Sequence, residues 1–358
     1  MTRLLALWST VVLGLFTPAL ALAGSTAEAP LSFNFNGDNT SDVGLVKTSD
    51  PNDGLIRILL IQGVALNNSG FPLGLPTGFE ATGAGNFNGD VNDQAELLAR
   101  KLSGTNAGLL RIITLNAAGT GVASNAFPAF VPTDFRHVGV GDLDADGNDD
   151  LVYVKTNAPN QGLIRVILLN SNLTVKQNAF PGFLAAGFEG LGVADADGDG
   201  HADILAIKTT APNEGLVRVL VMADTGTTVQ SNQFPAVKPA GFDIEGLAPY
   251  NVDSLADILL RKTGAPNAGL LRVQRMGPNA ASIESNAFPA TLAAGFVVVG
   301  TGDYDGLNQS DVLARQSTGA NTGLLRIVLL NAAGDGVSNA GFPANPGATF
   351  AAIQNEEP

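Results

Sequence analysis

The chain has no cysteine, so disulfides, thiolate metal sites and a lipid-modified cysteine are all excluded. Its two histidines, His137 and His201, are too few for a zinc cluster. The single tryptophan is Trp8, inside an N-terminal segment read below as removed, and tyrosine is limited to Tyr153, Tyr250 and Tyr304. Few aromatic platforms are left for sugar stacking. Cations are scarce too: 19 Lys and Arg stand against 33 Asp and Glu, a formal charge of −14. Loss of Arg3 makes it −15, since no acid lies in the first 23 residues. So acidic a balance argues against nucleic acid and anionic membrane surfaces as partners. Nucleophile-elbow, Walker and zinc-protease motifs are missing.

The N-terminus reads as a targeting segment. Arg3 supplies the positive charge, residues 4–15 are apolar, Pro18 interrupts, and Ala21-Leu-Ala23 before Gly24 fits a small-residue cleavage site. A retained anchor is the alternative, since residues 4–23 just reach spanning length. Pro18 and the cleavage pattern favour removal. The expectation is a signal peptide over 1–23, a small polar linker over 24–30 and a secreted, periplasmic or cell-surface product. No later apolar run is long enough to span a bilayer.

The densest chemistry lies in Asp195-Ala-Asp-Gly-Asp-Gly-His-Ala-Asp203, with carboxylates at positions one, three, five and nine. Gly198 and Gly200 let the backbone curl so that the leading acids converge. Four carboxylates in nine residues repel one another, and a hard dication with oxygen ligands, calcium above all, removes that repulsion. A solvated acidic turn is the plainer reading. An EF-hand fails on spacing, because its position twelve needs Glu and here holds Ala206. The following Ile204-Leu-Ala-Ile207 is short, apolar and partly β-branched, so the loop joins strands.

This loop belongs to a repeat. The ninth-position acid recurs as Asp42, Glu96, Asp150, Asp203, Asp257 and Asp311, at steps of 54, 54, 53, 54 and 54. Five residues on stand Lys47, Lys101, Lys155, Lys208 and Lys262, then Gln316. An Asn-x-Gly turn follows at Asn52, Asn106, Asn160, Asn213, Asn267 and Asn321. Next come Arg57, Arg111, Arg165, Arg218, Arg272 and Arg326, each in an apolar run. A Phe-Pro closes each unit, at Phe71, Phe127, Phe180, Phe234, Phe288 and Phe342, and a second Phe stands eight residues later.

Each unit reads as four short strands. In the fourth copy they are 188–194, 203–208, 216–222 and 227–233. The central two are apolar on both faces, so the sheet needs neighbours on both sides. Radial packing of four-stranded blades provides them, and the period suits a propeller better than a linear β-solenoid, whose repeats are usually shorter. The predicted fold is all-β, a β-propeller of six four-stranded blades from 54-residue repeats over 31–355. Residues 350–354 align with 296–300, so the C-terminus carries an extra copy of the strand that precedes each loop. It is expected to pack against the first blade and help close the ring, leaving 356–358 as a frayed tail.

The tandem Asp-x-Asp-x-Asp-Gly-x-x-Asp loop in an exported chain resembles the FG-GAP/VCBS repeats of integrin α-subunit-type propellers, from about residue 31 to 350. The resemblance implies a calcium loop between two strands of a blade and a role in adhesion or recognition. The integrin version has seven blades; six copies are counted here. Carried over by position, the third copy offers Asp142, Asp144, Asp146 and Asp150 with the carbonyl of Asn148. The fourth offers Asp195, Asp197, Asp199 and Asp203 with the carbonyl of His201. The first copy, Asn34, Asn36, Asp38 and Asp42, is weaker in charge, and lower charge usually lowers affinity. The second has Asn86, Asn88 and Asp90, then two extra residues before Glu96. The sixth keeps Asp303, Asp305 and Asp311 but has Leu307 at position five. The fifth begins Pro249-Tyr-Asn251-Val-Asp253, has lost most ligands except Asp257, and is expected to bind nothing.

The repeated arginines and lysines obey the pattern, and site residues usually break it, so they read as structural. The ninth-position acid or backbone carbonyls are their expected partners. Twelve of the phenylalanines, at the two repeated positions, read as core. The expected function is a non-catalytic, calcium-binding interaction or adhesion scaffold, a monomer whose partner is an extracellular or periplasmic protein. Specificity is placed in the variable segments 128–133, 181–186 and 235–240. A calcium-dependent, lectin-like propeller binding a glycan is the rival, and a polysaccharide-active hydrolase or lyase the weaker one.

Overall fold

The computed structural model describes residues 33–353 and the backbone of Ala21–Leu22. The expected signal peptide and linker and the tail at 356–358 otherwise lie outside the described residues. Six antiparallel blades form a ring, each strand following the next in order from the axis outward. In the fourth blade the strands are Phe188–Ala194, Asp203–Lys208, Val217–Met222 and Val229–Gln233. Among the described residues the sole helical element is a three-residue turn, Pro278–Ala280. Ala21–Leu22 lies parallel to the inner strand of the fifth blade, opposite Gly246 and Leu247.

Both faces of each blade are covered. Along Asp203–Lys208, Leu205 packs toward the fifth blade with Val219, Ile258 and Leu260. Its neighbours Ile204 and Ala206 point the other way, toward Val152, Val154 and Val166 of the third blade. Alternation with a period of two delivers successive residues to opposite faces, so an apolar run supplies two cores at once. Six such cores fill the six gaps, the last joining Leu313, Leu325 and Ile327 of the sixth blade to Val43, Leu45 and Leu59 of the first.

The ring closes as the alignment of the C-terminal strand leads one to expect. Phe350–Ala352 takes the inner place of the first blade and pairs with Val43–Lys47, Lys47 opposite Phe350. One blade is thereby built from both ends of the chain, which ties the ring shut through backbone hydrogen bonds.

The strand directions sort the connections onto two ends of the disc. The acidic loops, between the first and second strands, and the turns between the third and fourth share one end. The Asn-x-Gly turns and the Phe-Pro connectors share the other. The Asn-x-Gly turn is fixed by backbone shape: Asn213 has φ 67° and Gly215 φ 86°. Those left-handed conformations suit Asn and Gly and penalise most other residues.

Candidate metal centre

In the fourth loop Gly198 and Gly200 both have φ near 86°, at 85° and 87°, which curls the chain around the Asp195 side chain. Asp195 Oδ1 accepts the Gly198 N–H at 2.7 Å and Oδ2 accepts the Gly200 N–H at 3.0 Å. Position one therefore organises the loop before any ion arrives. The same side chain does this elsewhere: Asp142 accepts from Asp146 and Gly147, Asp303 from Gly306, Leu307 and Asn308, and Asn34 from Gly37 and Asp38. Position five braces the exit, as where Asp199 accepts the His201 N–H at 2.9 Å.

The leading acids converge in the third and fourth loops, and in the sixth two of them converge with the ninth-position acid. Carboxylate oxygens of Asp142, Asp144 and Asp146 lie within 4.8 Å of one another, as do those of Asp195, Asp197 and Asp199, and of Asp303, Asp305 and Asp311. Burial pushes the Asp142 and Asp303 carboxyls up to about 6, against the pull of the loop N–H groups. Asp195 and Asp197 are raised by burial as well, and their acidic neighbours add to it. Two position-three oxygens, Asp144 Oδ1 and Asp305 Oδ1, are buried without a hydrogen-bond partner. Clustered, partly buried carboxylates with unused lone pairs fit a hard, oxygen-seeking cation, and thiolate or imidazole clusters are absent from these loops.

The loops differ in what already neutralises them. In the third, the ammonium of Lys176, from the outer strand, lies 2.7 Å from Asp144 Oδ2 and 2.5 Å from Asp146 Oδ2. In the second, amides serve: Asn88 Nδ2 donates to Glu96 Oε1 at 2.5 Å and Asn86 Nδ2 to Asp93 Oδ1 at 2.8 Å. In the first, Asn36 Nδ2 donates to Asp38 Oδ2 at 2.8 Å. Among the described residues, the fourth and sixth carry no ammonium or side-chain amide bond to their clustered carboxylates. His201 Nδ1 reaches only Asp199 Oδ1, at 3.3 Å.

The ninth-position acid has a second occupation. Asp203 Oδ2 accepts the Ala196 N–H at 3.2 Å and Oδ1 the Met222 N–H at 2.8 Å. Asp42 bridges Phe35 and Ile61 in the same way, Asp150 bridges Leu143 and Leu169, and Asp311 bridges Tyr304 and Leu330. Each of these four acids thus latches its loop to the end of the third strand, whereas Glu96 accepts from the Phe87 N–H and Asn88 Nδ2 of its own loop. Burial raises Asp42, Glu96, Asp203 and Asp257 to about 8 and raises Asp150 and Asp311 well above the usual carboxylate range.

The loops are also joined to one another. The position-one carbonyl of each accepts an N–H from the residue before the ninth-position acid of the next: Asn34 from Ala95, Asn86 from Asp149, Asp142 from Ala202, Asp195 from Ala256, Pro249 from Ser310 and Asp303 from Ser41. That ring of six bonds, 2.6–2.9 Å long, runs unbroken through the closure. Sequence reasoning missed it, because backbone groups leave no residue signature.

Two expectations are corrected at the opposite end of the disc. The repeated arginines do not pair with the ninth-position acids, which sit at the far ends of the strands. Arg111, Arg165, Arg218 and Arg272 donate instead to the side-chain oxygens of Asn125, Asn178, Asn232 and Asn286 on the outer strand, at 2.5–3.0 Å. A backbone carbonyl, that of Phe130, serves Arg165 in addition. The signal was available: Asn recurs two residues before the Phe-Pro in four copies. The Phe-Pro phenylalanines are not core either. Phe71, Phe127, Phe180, Phe234, Phe288 and Phe342 are all 50–58% exposed, since they lie in or just after the outermost strand, beyond which no further strand packs among the described residues. The second-position phenylalanines are buried or half-buried as expected.

The fold and loops define a six-bladed β-propeller. Residues 142–206, which hold the third and fourth loops, match the FG-GAP-like repeat family. No curated protein matches the sequence. Among solved structures the chain is similar to the periplasmic gluconolactonase PpgL of Pseudomonas aeruginosa, at 13% identity over 87% of this chain and 100% of that one, with a TM-score of 0.39. It is similar as well to the PQQ domain of pyranose dehydrogenase from Coprinopsis cinerea, at 11% identity over 79% and 86%, TM-score 0.38. A third is BBS1N in complex with ARL6DN, at 12% identity over 95% and 91%, TM-score 0.41.

Proposed function

We propose that the protein is an exported, calcium-binding propeller that works as a non-catalytic interaction scaffold for an extracellular or periplasmic protein. The observation that carries this reading is the convergence of Asp195, Asp197 and Asp199, and of Asp303, Asp305 and Asp311, to within 4.8 Å in loops already curled by their own backbone hydrogen bonds. Those residues, with Asp142, Asp144 and Asp146, would hold the ion. Calcium would neutralise carboxylates that otherwise repel, and through the inter-loop hydrogen bonds it would stiffen the acidic end of the disc as a rigid docking face. A frame of strands with six interlocked cores suits a scaffold that presents loops without moving.

Thermal unfolding with excess calcium and with chelator tests this, beside the Asp195→Ala/Asp197→Ala variant. The expected result is a midpoint raised by calcium in the parent and raised less in the variant. A midpoint indifferent to calcium in both would remove the metal from the account.

A second reading, carbohydrate binding, gains one specific observation. The aromatic scarcity that weighed against it assumed twelve core phenylalanines, and six of those are half-exposed.

A further inference from the structure

The end of the disc away from the acidic loops has a different composition. The five repeated lysines each end a second strand, and the six repeated arginines stand near the start of the third, so all eleven lie there. No blade contributes more than two acids to that end. A chain of net charge −14 therefore folds into a disc with one acidic and one cation-rich end. The half-exposed phenylalanines stand on the cation-rich one.

The cations and rings form repeated units. In the fifth blade the Arg272 guanidinium lies 5.8 Å from the Phe288 ring centre and 5.9 Å from that of Phe242. Its Nε and Nη2 both donate to Asn286 Oδ1, at 3.0 and 2.8 Å. Arg57 over Phe71 and Arg326 over Phe342 repeat the stacking, at 5.4 and 6.0 Å. In the fourth blade Arg218 and Lys208 both face Phe188, at 5.8 and 5.2 Å. Phe188 also lines a cleft of about 510 Å³ between the third and fourth blades, together with Arg136 and Lys155.

Such a unit dictates its ligand. A half-exposed ring offers an apolar, electron-rich face. The guanidinium has only donors, and in the fifth blade the Asn286 amide has its oxygen engaged by Arg272, so its remaining polar group is a donor too. The partner must combine a flat aliphatic face with negative or acceptor-rich groups at its edge. We propose that the cation-rich end binds a uronate-bearing glycan chain, with pyranose rings against the exposed phenylalanines and carboxylates on the repeated arginines. Guanidinium matches carboxylate in geometry and charge. The stacked pairs of the fifth, sixth and first blades are neighbours around the disc, so several residues of one polymer engage together and weak single contacts add up to useful avidity. A nucleic acid would bring a phosphate at every step toward a strongly acidic molecule, which disfavours it. The inference rests on the carbohydrate reading and is independent of the calcium reading.

The test uses the full chain in calcium-free buffer, titrated calorimetrically with oligomers of hyaluronan and of polygalacturonate, with neutral dextran and oligo-dT as comparators. Two variants accompany it, Phe71→Ser/Phe288→Ser/Phe342→Ser and Arg57→Gln/Arg272→Gln/Arg326→Gln. The phenylalanine variant alters exposed positions and keeps its fold, which thermal unfolding verifies. Expected are binding of a uronate oligomer over dextran, a loss of at least about tenfold in each variant, and a flatter salt dependence in the arginine variant. Uronate binding that the phenylalanine variant leaves intact would overturn the assigned site while keeping the carbohydrate reading. Equal binding of dextran would overturn the uronate specificity. Binding of neither uronate polymer would overturn the proposal, absence of dextran binding as well would remove the carbohydrate reading, and tighter binding of oligo-dT would replace both.

Discussion

The fourth and fifth loops occupy the same place in adjoining blades and differ in chemistry. The fourth places Asp195, Asp197 and Asp199 together; the fifth has Pro249, Asn251 and Asp253 at those positions. Yet Asp257 still accepts the Met276 N–H at 2.8 Å, just as Asp203 accepts that of Met222 at 2.8 Å. The inter-loop hydrogen bonds pass through both. The ligands at positions one, three and five are thus dispensable to the blade, and the acid at position nine is not. One motif encodes two devices: an ion site and a latch.

The latch gives the largest expected effect. Asp203→Ala leaves two buried N–H groups without acceptors, at about 1–3 kcal/mol each. A loss of several kcal/mol in chelator, read from denaturant unfolding, separates a latch from a mere ligand. Asp257→Ala, in the loop poor in ligands, is expected to cost about 1–3 kcal/mol for its Met276 N–H, with calcium making no difference. In contrast, the N–H groups that Asp195 holds, of exposed Gly198 and half-buried Gly200, can turn to water, so Asp195→Ala/Asp197→Ala is expected to unfold in chelator within about 0.5 kcal/mol of the parent.

Acidity sharpens the same comparison. Burial raises Asp257 to about 8 from an ordinary 3.8, with Asp253 adding to it and the Met276 and Tyr250 N–H groups opposing it. The folded state therefore holds a proton that the unfolded state releases. The stabilisation is complete below about pH 4 and is lost as pH rises through about 8. Asp257→Asn keeps an acceptor for Met276 and removes the titration, so its unfolding free energy is expected to fall less over that window. The smallest effect is expected at Lys176. Lys176→Met takes a resident ammonium from Asp144 and Asp146, and the third loop is expected to bind calcium a few-fold more tightly, as read by competition with a chelator dye.

Much of this was legible in the sequence. A constant step between ninth-position acids, with two-sided apolar strands between them, specified blades, and the spare strand at 350–354 specified how the ring closes. The leading acids were legible because like charges so close together demand a reason. The latch was misread as an arginine partner, because strand direction, which puts Arg218 and Asp203 at opposite ends of the disc, is a tertiary fact. The exposure of Phe234 and its equivalents was hidden for a related reason. An aromatic at a repeated position signals packing, and only the place of its strand at the rim shows that the packing is one-sided. Lys176 could be noticed in the sequence, but the loop it reaches lies 30 residues away from it at Asp146.

The division between ion site and latch is tested most directly by counting calcium ions bound per chain, by calorimetry, in the parent, in Asp195→Ala/Asp197→Ala and in Asp257→Asn. One fewer ion is expected in the first variant and an unchanged number in the second. An equal count in all three, or an ion lost with Asp257, would contradict it.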